Sequence, residues 1–173
     1  SDNRAASALG RTWPGGMAAF IQAMNDKAEQ LGMTRTRFAD PTGLLAGNIS
    51  TASDLVKLVA VARQQPLFRV LSTDGEFTLL NRASGQPIWM HNTNRLLREE
   101  SSWDIRLSKT GYTAAAGRCL VMQTNVNGRP LTIVLLNSSG KLTRYGDVVR
   151  IRDWLLNTER RVPRLATARV TGS

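Results

Sequence analysis

Two tripeptides carry side chains that could work together on a peptide. Ser1-Asp2-Asn3 offers a hydroxyl and a primary amide, and Lys109-Thr110-Gly111 offers an ammonium, a second hydroxyl and a residue without a Cβ. Acyl transfer needs a nucleophile, a base, a site for the developing oxyanion and an anchor for the substrate. Lys109 suits the anchor, because an ammonium on a rigid strand holds a carboxylate as a point charge. Thr110 adds a hydroxyl donor beside it. Gly111 lets another backbone lie close, and Tyr112 and Thr113 could then pair their main chain with it as an added strand does. Ser1 would pass a proton, and Asn3 would orient substrate and lysine. Each tripeptide alone has a plainer reading: an edge-strand lysine before a turn, and a helix cap or loose end. Either should occur by chance in roughly a few per cent of chains this long, so the pair says more than either one.

The elements that must position these groups can be read from periodicity. Met17, Phe20, Ile21, Met24, Ala28 and Leu31 follow helical spacing, with Gly32 as a stop. Thr51-Ala52-Ser53-Asp54 resembles a capping box with Asp in place of Glu, ahead of Leu55, Val59 and Ala62; Pro66 should end that helix. The stretch 33–50, rich in Thr, Gly, Pro and Asp, reads as a structured loop. Residues 76–81 and 87–91 should be short strands around Ser84-Gly85. Ile105 to Thr113 should be a strand. Two further apolar runs, 118–126 and 130–137, flank Asn127-Gly128, a strong hairpin signal. A closing helix over 142–157 should turn Tyr145, Val148, Val149, Trp154 and Leu155 inward. Helices, a hairpin-connected sheet and a last helix predict an α+β fold.

Composition narrows the classes. At 173 residues, 42% hydrophobic and 21% charged, the chain suits one globular domain with a sizeable core. No run approaches the roughly 18 apolar residues of a membrane span. The net charge of +10, from 19 Arg and four Lys against 13 acids, favours anionic partners, although the arginines are scattered except in the tail 161–173. Cys119 is the single cysteine, so no internal disulfide forms; its apolar neighbours suggest a buried small residue. No His, Cys, Asp and Glu group has metal-ligand spacing, and no cofactor is expected.

The two tripeptides resemble the second and third signature elements of the penicillin-recognising serine enzymes, whose first is Ser-x-x-Lys. The run from Lys109 through Leu120 is similar, nearly residue for residue, to the third-motif strand of the D-alanyl-D-alanine peptidases. Met24-Asn25 through Ala28, Leu31-Gly32-Met33 to Phe38, Asp40-Pro41-Thr42-Gly43-Leu44, Ser53-Asp54-Leu55 and His91-Asn92-Thr93-Asn94-Arg95-Leu96-Leu97 resemble the same family. The flavour is that of the low-molecular-mass penicillin-binding proteins, and among them the endopeptidase branch. The resemblance implies a penicillin-binding-protein/β-lactamase-like transpeptidase fold. It implies a serine acyl-enzyme acting on peptidoglycan peptides in the periplasm, β-lactams as inhibitors, and Ser1, Asn3 and Lys109 as catalytic residues. Lys109, Thr110, Gly111, Tyr112 and Thr113 would bind substrate. Residues 1–160 would then be the C-terminal part of the peptidase domain, and 161–173 a basic tail.

The first signature element is the departure. Ser138-Ser139-Gly140-Lys141 satisfies the pattern literally but follows a hairpin strand instead of opening a core helix, so the nucleophile is expected from an upstream segment. Without it the chain should be inert, since losing such a serine can cost roughly a millionfold in turnover. Class A β-lactamases deacylate with a Glu after the second motif, and between Glu29 and Glu76 there is no Glu, only Asp40, Asp54 and the Asp74 that nearly adjoins Glu76. Asp54 suits a cap and Asp40 a turn. Lys141 and Arg144 read as a solvated helix face, and His91 as structural. The alternative is a non-catalytic module that holds anionic wall peptide or polyanion; nucleic acid is not expected. Two geometric expectations follow: Ser1, Asn3 and Lys109 should share one cleft, and Lys109 to Thr113 should lie on a sheet edge.

Overall fold

A computed structural model describes residues 2–98 and 103–161, with side chains as far as Thr158. In chain order the elements are α1 (Asn3–Thr12), α2 (Gly16–Gln30), α3 (Ala52–Ala62), α4 (Pro66–Thr73), β1 (Glu76–Leu80), β2 (Pro87–His91), α5 (Arg95–Arg98), β3 (Asp104–Thr113), β4 (Gly117–Val126), β5 (Arg129–Ser138) and α6 (Thr143–Arg161). The expected α+β layout is present. Apart from Arg161, the basic tail lies outside the described residues. No described helix is long and apolar enough to cross a membrane.

Helix ends follow local chemistry. Helix α1 was not legible from periodicity, yet it has a clear start: the Asp2 carboxylate accepts from Arg4 N at 2.7 Å and Ala5 N at 3.4 Å. It lies tightly on α2 because Gly10 has no side chain; a Cβ there would meet Met17 Sδ at 2.7 Å. Helix α2 stops as expected, with Gly32 at φ 66°. Thr51 caps α3 by accepting from Asp54 N at 3.2 Å. The second half of the box does not form, because Asp54 turns its carboxylate to Arg35 N and Thr36 Oγ1, each at 2.9 Å. Pro66 corrects the expectation that it stops a helix. Helix α3 ends earlier, and Pro66 opens α4, where its missing N–H would be unpaired anyway.

The three-stranded sheet has the order β3-β4-β5, antiparallel throughout. Its second hairpin turns at Asn127 (φ 51°) and Gly128 (φ 78°), the left-handed pair that a two-residue type I′ turn requires. One face of the sheet meets α5 and α6. Leu96, Ile105, Leu120, Met122, Ile133, Tyr145 and Val148 form a core there, with Leu120, Met122 and Val148 fully buried.

Helix α6 faces inward at Tyr145 and Val148 as expected, but Trp154 is 66% exposed. Six residues beyond Val148, at about 100° each, Trp154 lies on the far side of the helix. Arg144, expected on a solvated face, is buried. Cys119, expected to be buried, is half-exposed near the end of the β3–β4 hairpin.

Strands β1 and β2 form a separate two-stranded sheet with Phe77 opposite Met90 and Leu79 opposite Ile88. The loop 33–50 is organised around one carboxylate. Asp40 accepts from Thr42 N at 3.0 Å, Gly43 N at 3.2 Å and Leu45 N at 3.3 Å, and also from Thr42 Oγ1 and Asn48 Nδ2. Arg37 and Ile49 close the loop as a short antiparallel bridge.

Candidate active site

Lys109, Thr110 and Gly111 lie in the middle of β3, and β3 is an edge strand: it pairs with β4 on one side only. The expected edge position of this strand is observed. The amide of Ser108 points away from β4, donating to Ser72 Oγ of α4 at 3.3 Å. By the alternation of an antiparallel ladder, Thr110 and Tyr112 also turn their main-chain groups to the open side. Helix α4 therefore covers the strand's first half and leaves the edge free from Thr110 onward.

Lys109 lines a cavity of about 290 Å³ with Thr110, Thr93, Ser72, Phe68 and Leu71. Lys109 as a whole is exposed, yet its ammonium folds back onto the strand and donates to Thr110 O. Burial of that ammonium penalises its charged form and holds its pKa below the ordinary 10.5. Tyr112 is exposed and packs under the guanidinium of its cross-strand partner Arg118, 4.3 Å from the ring centre. Thr113 lies elsewhere, on a cavity of about 570 Å³ between the β3–β4 turn and the loop at 43–50.

The Asn92-Thr93-Asn94 segment braces the motif strand from behind. Asn92 is tied to α4 and the following turn through Nδ2, which donates to Ser72 O at 3.2 Å and Asp74 O at 2.9 Å. Thr93 Oγ1 and Thr110 Oγ1 are 2.6 Å apart and share a hydrogen bond. Asn94, 1% exposed, donates to Ser108 Oγ at 2.8 Å. Thr93 also reaches α6: its carbonyl accepts from Tyr145 Oη at 3.2 Å, and Tyr145 Oη accepts from Arg144 Nη2 at 3.1 Å. Arg144 is thus a buried cation joined to Thr110 through Tyr145 and Thr93. Its Nε and Nη1 have no hydrogen-bond partner among the described residues. Periodicity alone could not have identified it, because charged residues are rarely buried.

The second tripeptide is less fully placed. Ser1 lies outside the described residues. Asn3 is exposed on the first turn of α1 and is not among the residues lining the Lys109 cavity. The structure therefore joins Lys109 to Thr110, Thr93 and Arg144, and does not itself bring Asn3 to them. His91 is exposed, with Nδ1 at 3.3 Å from Glu76 Oε1 across the β1–β2 ladder. No described group of His, Cys, Asp and Glu could hold a metal ion.

Comparison with known proteins gives one consistent result. The profile of the D-alanyl-D-alanine carboxypeptidase family matches residues 1–140. The chain is 46% identical over 155 residues to the D-alanyl-D-alanine endopeptidases of Pseudomonas aeruginosa and Escherichia coli, covering 90% of this chain and 50% of each relative. It spans about half the length of those relatives. Among solved structures, a D-alanyl-D-alanine carboxypeptidase from Mycobacterium tuberculosis superposes with TM-score 0.77 at 27% identity, over 88% of this chain and 58% of that one. A penicillin-binding protein from Listeria monocytogenes in its cefotaxime-bound form gives TM-score 0.72 at 26% identity, over 87% and 60%. A motif lysine on an open strand edge, braced by an Asn-Thr-Asn segment, is thus found in a chain that belongs to the D-alanyl-D-alanine peptidase family of low-molecular-mass penicillin-binding proteins.

Proposed function

We propose that this chain supplies the substrate groove of a serine-type D-alanyl-D-alanine endopeptidase or carboxypeptidase of the periplasm, acting on peptidoglycan peptides. In this reading the nucleophile comes from a Ser-x-x-Lys segment preceding Ser1. The supporting observation is the open edge of β3 with Lys109 upon it. An extended peptide would add alongside Thr110 and Tyr112, with its terminal carboxylate at Lys109 and the Thr110 hydroxyl. Arg144 would reinforce that end with a second positive charge.

The reaction would run through an acyl-enzyme. The serine oxygen attacks the scissile carbonyl and gives its proton to the lysine of its own motif. The tetrahedral intermediate collapses as the leaving amine takes a proton, with Ser1 as the relay and Asn3 orienting the substrate. Water then cleaves the ester and regenerates the serine. A β-lactam would acylate the same serine, as the cefotaxime-bound relative suggests. Between Glu29 and Glu76 stand Asp40, Asp54 and Asp74; loop hydrogen bonds engage the first two carboxylates, and none of the three lines the Lys109 cavity, where a base would be needed to hydrolyse that adduct quickly.

Intact-mass spectrometry after treatment with a labelled penicillin tests this. The 173-residue chain should gain no adduct, whereas the same chain joined to its upstream segment should gain one. An adduct on the chain alone, mapped to Ser138 or Ser1, would overturn the assignment of the nucleophile.

A further inference from the structure

Strand β3 presents a second cation at its other end, in a different setting. The register with β4 slips between Ile105 and Leu107, leaving Arg106 without a partner across the ladder. A bulge of this kind re-aims the side chain it carries. Here it sends Arg106 into a cavity of about 320 Å³, shared with Arg63 and Gln64 at the end of α3 and Arg69 of α4. Gln123 and Asn125 of β4 complete the polar lining. Helix α4 separates this cavity from the one at Lys109, facing the first with Arg69 and the second with Phe68, Leu71 and Ser72.

The cavity gathers positive charge. Several arginines of this molecule are answered by a carboxylate a few residues away, as in Arg4–Asp2 and Arg150–Asp147, or lie over a ring, as Arg118 and Arg152 do. Among the described residues Arg63 and Arg69 have neither. One acid approaches: Asp104 Oδ2 is 2.6 Å from Arg106 Nη2, outside the lining of the cavity. Three guanidiniums against one carboxylate leave an excess of two positive charges beside three side-chain amides. Guanidinium forks match the paired oxygens of a carboxylate or phosphate, and the amides can donate to any oxygen left over.

We propose that Arg63, Arg69 and Arg106 form an oxyanion-binding site for a carboxylate or phosphate group, separate from the Lys109 anchor and independent of the peptidase reading. The oxyanion could belong to an acidic peptide or be a free phosphate, and two probes distinguish these sources.

Calorimetric titration of the full chain at constant ionic strength, with tetraglutamate and with inorganic phosphate, is the test. At least one probe should bind saturably. Tetraglutamate alone would assign the site to a peptide-borne carboxylate, and phosphate to a free oxyanion. The double variant Arg63→Ala/Arg69→Ala should weaken binding tenfold or more, with an unchanged circular dichroism spectrum, whereas Arg82→Ala, at an exposed arginine of the β1–β2 turn outside this cavity, should leave it within twofold. Arg63→Gln and Arg69→Gln, made singly on these exposed side chains, give the same reading should the double variant fail to fold. Undiminished binding in the Arg63 and Arg69 variants, equal loss in Arg82→Ala, or heats that never saturate would each overturn the proposal.

Discussion

The two sheets of this molecule are built from similarly apolar strands and end in opposite states. In β3–β5 the side chains of Ile105, Leu107, Leu120, Met122 and Ile133 are buried. In β1–β2, Phe77 is 53% exposed and Trp89 67% exposed, and no side chain of either strand is buried. Helix α4 sides with the second group, exposing Leu67, Phe68, Val70 and Leu71. Both sheets nonetheless keep an antiparallel register. In the hairpin, turn chemistry sets the register: Asn81 Oδ1 accepts from Ala83 N at 2.9 Å, and Gly85 takes φ 68°. Local turns can therefore fix pairing, but stability requires a third layer. An isolated two-stranded hairpin is marginal in water, whereas α6 and α5 close over β3–β5. The motif lysine lies on the stable sheet, on its edge strand β3.

The sharpest way to break this contrast is a cavity in the larger sheet. Leu120→Ala should lower stability by about 2–5 kcal/mol, read as a shifted urea midpoint. A loss below about 1 kcal/mol would mean that the two sheets are equally loose. In an active form of the protein, Lys109→Ala should reduce the second-order acylation rate with labelled penicillin by roughly ten- to a hundredfold, the worth of a charge-assisted contact of about 1.5–3 kcal/mol. An unchanged constant would exclude Lys109 as anchor. The same rate should fall on the alkaline side. The charged anchor is lost as pH rises through a folded pKa that burial sets below 10.5. Asn94→Ala leaves the Ser108 hydroxyl and a backbone amide short of a buried partner and should cost about 1–3 kcal/mol.

Acid should affect the loop before it affects either sheet. Partial burial opposes the charge of Asp40, but hydrogen bonds from Thr42 and Asn48 outweigh it, holding the carboxyl at about 2 against an ordinary 3.8. Its contribution is complete above 3.8 and is lost as pH falls toward 2. Hydrogen exchange at the amides of Thr42, Gly43 and Leu45 should accelerate across that window while β4 stays protected. At the small end, Leu80→Ser, on a side chain 71% exposed, should change stability by no more than about 0.5 kcal/mol. A larger loss would show that the hairpin is covered in solution.

The larger sheet was legible because its signals are local and mutually consistent: an Asn-Gly turn between apolar runs leaves one pairing. Helix α4 was not, because a proline after a helix reads as a stop until the chain is seen to restart at it. Trp154 reads as part of the inward face of α6 only if its helical angle to Val148 is ignored. The motif lysine was visible as a tripeptide, and its edge position followed from what the chemistry would need. Arg144 could not be found that way. Its burial depends on Tyr145 and Thr93 meeting across 52 positions of sequence, and no window along the chain contains that contact. Asp54 shows a milder failure, since its capping pattern was present while its carboxylate served another loop.

The Lys109 ammonium rests on the carbonyl of Thr110, one of the groups an incoming backbone would use. If Lys109 is the anchor proposed above, it would act in the unliganded groove as a latch on its own docking rail. A neutral peptide would have to compete with an internal cation for that oxygen. A ligand bearing a carboxylate would draw the ammonium away and uncover the carbonyl in the same movement, so that recognition of the charged end and pairing of the backbone become one cooperative event. Selectivity for a free C-terminus would then arise partly from what the protein does to itself in the ligand's absence.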